Sequence, residues 1–85
     1  MQAKLDEIKK IVADAMVKED IIVCDVSFVK ENNYNFLKIT LDKVNGIDLD
    51  TIVKATKIIS PIIDEKDFIK ESYVLDVSSK EKGVK

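Results

Sequence analysis

In the opening stretch "KLDEIKKIVADAMVKED", Leu5, Ile8, Ile11, Val12, Ala15 and Met16 recur at helical spacing. Lys4, Asp6, Glu7, Lys9, Lys10 and Asp14 take the other side, so the spacing predicts an amphipathic helix. Its mixed charge signs and modest apolar residues point to packing on a core rather than lying on a membrane surface. The period then falls to two. In "IIVCDVSFVK", Cys24, Val26 and Phe28 oppose Val23, Asp25, Ser27 and Val29; in "FLKITLDK", Leu37, Ile39 and Leu41 oppose Phe36, Lys38, Thr40 and Asp42. The short Asn-rich join "ENNYN" makes these runs a β-hairpin. Helical spacing returns in "LDTIVKATKIISPIID", with Leu49, Ile52, Val53, Thr56, Ile59 and Ile63 on or near one face. Pro61 cannot donate a helical hydrogen bond and disfavours helical geometry at Ser60, which predicts a kink there, or a break followed by one more turn. "DEKDFIKES" follows as a polar loop. "YVLDVSS" alternates once more, with Tyr73, Leu75 and Val77 opposed to Val74, Asp76 and Ser78, and "KEKGVK" has no packing pattern.

The order α-β-β-α-β predicts an α+β fold: a two-layer sandwich whose three-stranded sheet is covered on one face by two helices. Each strand has one apolar face, so the second face of the sheet is expected to be open. With 85 residues the chain has length for a single core. An apolar fraction of 46% alongside 35% charged residues argues against disorder. No apolar run approaches the roughly 20 residues of a membrane span. The start "MQAKLDEIKK" lacks the apolar centre of a signal peptide, so a cytoplasmic location and no membrane partner are expected.

Composition removes several kinds of chemistry. There is no histidine, which takes away Ser-His-Asp catalysis and most zinc and copper sites. Cys24 is alone and lies in an alternating apolar run, so the expectation for it is a buried core residue. All 14 basic residues are lysines, and the net charge is -2. Without arginine no bidentate guanidinium is available for phosphates or base edges, and a free-standing nucleic-acid binder is usually basic.

The pair Asp48 and Asp50 in "KVNGIDLDTI" is the one acidic motif with a metal reading. An EF-hand loop fails here, because Val44 falls where a ligand belongs and Val53 where the closing glutamate belongs. A helix start fits the pattern better. Asn45 and Gly46 form a turn, Asp48 caps the helix, Asp50 sits at the positive end of its dipole, and Ile47 packs against Ile52 as a hydrophobic staple.

Taken in order, "VCDVSFVKENN", "LKITLDKVNGIDLDTIVKATKIISPIIDEKD" and "SYVLDVSS" resemble the N-terminal domain of the RimP family of bacterial ribosome maturation factors. The resemblance covers residues 21 to 79, and the preceding helix also fits. It implies an αββαβ fold related in topology to one class of KH domain. It also implies association with the free small ribosomal subunit during assembly, without catalysis or cofactor. The family often has threonine at the cap position taken here by Asp48. Family members continue into a small C-terminal β-barrel domain, where this chain has Lys80 in place of a proline and soon stops. The expected organisation is a domain over residues 1–79 and a tail or linker stub over 80–85 toward that second domain, which would be a further partner.

A KH-type grip on RNA needs a GXXG loop, which Gly46 and Gly83 cannot form. An acidic domain fits a basic ribosomal protein better than bare RNA. The expected contact surface is the open sheet face, with Val23, Asp25, Val29, Phe36, Lys38, Thr40, Asp42, Val74 and Asp76. Two alternatives of another kind are a structural or dimerisation domain using an open sheet edge, and a small KH-like RNA-binding module. An enzyme using the aspartates as acid/base groups has no histidine, phosphate loop or ligand set behind it. If Asp48 and Asp50 start a helix, calcium or magnesium leaves the melting temperature unchanged. A sharp rise with either ion would restore the metal reading.

Overall fold

The computed structural model describes residues 2–44, 46–66 and 69–80. In chain order the elements are α1 (Gln2–Val17), β1 (Ile21–Glu31), β2 (Tyr34–Lys43), α2 (Leu49–Lys66) and β3 (Val74–Ser79). The strands lie in the order β1-β2-β3, with β2 in the middle, antiparallel to β1 and parallel to β3. Both helices pack against the sheet, so the fold is the α+β arrangement expected from the pattern. Among the described residues no helix is long and apolar enough to cross a membrane.

The core lies between the helices and one face of the sheet. Leu37, Ile39 and Leu41 of β2 are fully buried. Ile8, Val12 and Met16 of α1 meet them from one side, and Ala55, Ile59 and Ile63 of α2 from the other. Each helical set repeats at three to four residues and each strand set at two, so the apolar stripes face one another without any twist of the side chains out of their elements.

The hairpin closes through Asn32 and Asn33, whose φ values of 51° and 70° are the two positive angles that a two-residue type I′ connection requires. Asparagine tolerates this left-handed region because its short amide can bond locally. Asp20, φ 62°, makes the equivalent tight exit from α1 into β1.

One feature of β1 departs from simple alternation. Val23 pairs with Leu41 and Asp25 with Thr40, leaving Cys24 as an extra residue in a β-bulge. The bulge reverses the side-chain parity. Ile21 and Val23 before it, and Val26 and Phe28 after it, therefore all face the helices. Val23 is thus packed against the core and does not belong to the open face, and Cys24 is half-buried at the bulge instead of being a core residue.

Helix α2 also differs from expectation. It runs through Pro61 to Lys66 without a break. Pro61 and Lys57, the residue whose carbonyl loses its partner, are both exposed, so water can satisfy that carbonyl. Leu49 and Val53 point to solvent, while Ala55 and Ile58 face inward beside Ile52 and Ile59. Thr56 is half-buried, and its hydroxyl donates to the Ile52 carbonyl at 2.8 Å. The stretch expected as a polar loop begins as the last turn of α2, and Ile69 within it is a core residue only 5% exposed. Asp67, Phe68 and 81–85, the larger part of the expected tail, lie outside the described residues, as does Asn45 of the expected turn.

Two substitutions test this packing. Ile69→Ala should cost about 2–5 kcal/mol, as for other buried isoleucines, where a residue of a solvated loop would cost almost nothing. Pro61→Ala should stabilise the domain by roughly 1–3 kcal/mol by restoring a helical hydrogen bond. Urea unfolding followed by circular dichroism reads both.

Candidate functional site

The register lays out the open face as rows of side chains across the three strands. Val29, Phe36 and Val74 form one row, flanked by Ser27, Lys38 and Asp76 in the next. Asp25, Thr40 and Ser78 form a third, and Ile22 stands beside Asp42 in a fourth. Glu31 and Tyr34 close the hairpin end. Eight of the nine residues expected on this face are therefore brought together there; Val23 is the exception, for the reason given by the bulge.

The rows give the face an apolar end and an acidic end. Phe36 and Val29 are half-buried by their neighbours, whereas Val74 is 48% and Tyr34 64% exposed. Lys38 is the one lysine in the central rows. Its Nζ lies 3.2 Å from Glu31 Oε2, reaching past the Val29–Phe36 row instead of pairing with Asp76 beside it. Such a solvent-exposed pair contributes about 0–1 kcal/mol, so it can be given up to a partner at little cost. Asp42 Oδ1 accepts the Lys43 backbone N–H at 2.8 Å. Asp25 and Asp76 are exposed, and their charge is left facing solvent.

Sequence reasoning missed Ile22, Glu31 and Tyr34 on this face. The signal for Ile22 was present: Ile21, Val23, Val26 and Phe28 are spaced two, three and two apart, and the step of three is what one extra residue does to a strand. Glu31 and Tyr34 belong to the stretch expected as the connection, but the turn is only two residues long and both strands extend to its edge.

The turn before α2 is built locally. Gly46 takes φ 93° and donates its N–H to the Lys43 carbonyl at 2.9 Å. Its hydrogen has open space around it, so the conformation and not the volume requires glycine. Asp48 then accepts the Thr51 N–H on Oδ1 at 2.9 Å, while its own carbonyl accepts the Ile52 N–H at 3.1 Å. This is N-cap geometry: the side chain satisfies a backbone donor that has no partner within the helix. Ile47 is buried next to Ile52, which holds the entry angle of the chain. Among the described residues no three Cys, Asp or Glu side chains are grouped to hold a metal ion.

The surface hollows are shallow. One is lined by Asp42, Lys43, Val44, Gly46 and Lys80, another by residues of the α2 start and the end of β3. Neither is the deep, largely apolar cleft with converging polar groups that holds small ligands.

A family model described as the RimP N-terminal domain matches residues 11–80. The chain belongs to that family. RimP is a ribosome maturation factor, and the match spans all three strands, the whole of α2 and the C-terminal part of α1. The whole open face of this RimP domain lies inside the matched residues, and so does the capped turn.

The cap makes a pH prediction. The Thr51 side chain and backbone N–H, with help from Lys43, hold the Asp48 carboxyl below its ordinary value of 3.8. A carboxyl depressed in the folded state favours folding fully above the unfolded value, and that contribution is lost as pH falls below 3.8 through the folded value. Asp48→Ala should therefore lower the melting temperature at neutral pH, and the gap to the wild type should narrow in acid. Asp48→Asn should keep most of the cap without this acid dependence. Thermal melts between neutral and strongly acidic pH make the comparison.

Proposed function

We propose that the domain binds the small ribosomal subunit during its maturation, without catalysis or cofactor, and that the open sheet face meets a basic ribosomal protein. The observation that carries this reading is the exposed pair Asp76, in the row next to the apolar row Val29–Phe36–Val74, and Asp25, in the row beyond it. Two carboxylates to one side of an aromatic and two valines offer a basic protein both an apolar anchor and opposite charge. The charge speeds encounter and sets orientation, while the apolar contacts hold the complex.

Bare RNA fits less well. The whole domain carries a net charge of -2 and no arginine, so phosphate would meet repulsion where a nucleic-acid binder supplies cations. The reading places the protein in the cytoplasm, and it treats residues 1–79 as the binding domain and 80–85 as the link toward a C-terminal β-barrel domain that contributes its own contacts.

Co-sedimentation of the domain with free small subunits tests the face. Asp25→Lys combined with Asp76→Lys should weaken binding by about tenfold or more, equivalent to roughly 1.4 kcal/mol, and wild-type binding should weaken with added salt. Phe36→Ala should weaken it independently of salt. Binding unchanged by all three substitutions would mean that another surface makes the contact.

A further inference from the structure

Building on the reading of the apolar row as a partner's anchor, we propose that Lys38, held by Glu31, is a strap laid over that row. The free domain keeps the row half-covered, and a partner must lift the strap to seat on it. The register puts Lys38 on β2 between Ser27 and Asp76, and Glu31 on β1 beside Tyr34. The row Val29–Phe36–Val74 lies between these two positions. From Lys38 to Tyr34, opposite Glu31, is four residues of strand, or about 14 Å at the rise of an extended chain. Lys38 Nζ nevertheless lies 3.2 Å from Glu31 Oε2. Both side chains must therefore stretch along the face and cross the row where Val29 meets Phe36.

The exposures fit such a crossing. The Lys38 side chain is 37% exposed, against 68% for Lys54, whose ion pair with Glu19 has the same length. A lysine that lays its methylenes on apolar surface and keeps its ammonium in water is covered to this extent. Val29 and Val74 differ in the same way. They are the same residue type in the same row, on the two edge strands to either side of Phe36. Val29, on the side that the strap crosses, is half-buried, whereas Val74, on the other side, is exposed. Asp76 is the ladder neighbour of Lys38, yet the ammonium bonds the more distant Glu31 and leaves Asp76 facing solvent. An exposed pair of this kind opens at little cost and is loosened by salt. The strap thus shields an aromatic from chance contacts without locking it away from a matching partner.

Hydroxyl-radical footprinting of the free domain tests the strap with no ribosome present. Phe36 and Val29 should become more reactive as salt is raised, while Val74 stays constant. Glu31→Gln, which keeps the size of the side chain, should give that higher reactivity already at low salt. Exchanging the charges, Glu31→Lys with Lys38→Glu, should restore the protection. Phe36 reactivity indifferent to both salt and Glu31→Gln overturns the strap. Binding to free small subunits tests its role: Lys38→Gln should bind about two- to fivefold tighter than Lys30→Gln, which changes the net charge equally but leaves the strap in place. Equal binding by these two variants overturns that role. If the wild-type domain does not bind small subunits while Phe36 still answers to salt and to Glu31→Gln, the proposed function fails and the strap stands.

Discussion

The pairing of β2 with both of its neighbours is the constraint on which the rest of this domain depends. Leu37, Ile39 and Leu41 fill the centre of the core, so the intervening residues Phe36, Lys38, Thr40 and Asp42 must point the other way. A one-residue slip would exchange the two sets and bury a lysine and an aspartate. Both helices are committed to the apolar side. No further element among those described covers the polar side, so the same register that makes the core also makes the open face. The bulge at Cys24 serves this arrangement: it lets both halves of the long strand β1 send their apolar residues toward the helices.

How much of this was legible in the sequence follows from the range of the interactions involved. Element order and the one-sided sheet depend on periodicities of two and about 3.6, which are written along the chain. The bulge was written there too, in the uneven spacing from Ile21 to Phe28, but reading it requires knowing which strand face the helices cover. Ile69 looked like part of a charged loop because its neighbours are charged; that it reaches the core is a tertiary fact. The continuity of α2 through Pro61 is similar, since the cost of the missing hydrogen bond depends on whether the freed carbonyl faces water. On the face itself, eight residues could be placed from alternation alone, while Val23 was misplaced by the parity change and Ile22 was missed with it. What lies opposite the face is not encoded in the spacing at all.

The functional picture rests on separating two kinds of acidic residue. Asp48 is occupied by a backbone donor and works for the helix, which removes the most conspicuous acidic motif from the list of chemical sites. Asp25 and Asp76 remain directed at solvent on the same face as an aromatic row, and membership of the RimP N-terminal domain family sets such a surface in the context of ribosome maturation. Under the proposed reading the domain works by occupancy: its effect would come from where it binds and for how long. Modest, salt-sensitive contacts suit a partner that must later leave, because exposed charge pairs form and break with little net free energy.

The most direct test is oxidative footprinting of the domain alone and bound to free small subunits, read residue by residue by mass spectrometry. The account predicts that Phe36, Tyr34, Val29 and Val74 become protected on binding, while the outer surfaces of α1 and α2, represented by Lys9 and Lys57, stay as reactive as in the free domain. Protection of the helical surfaces with an unchanged open face would contradict it.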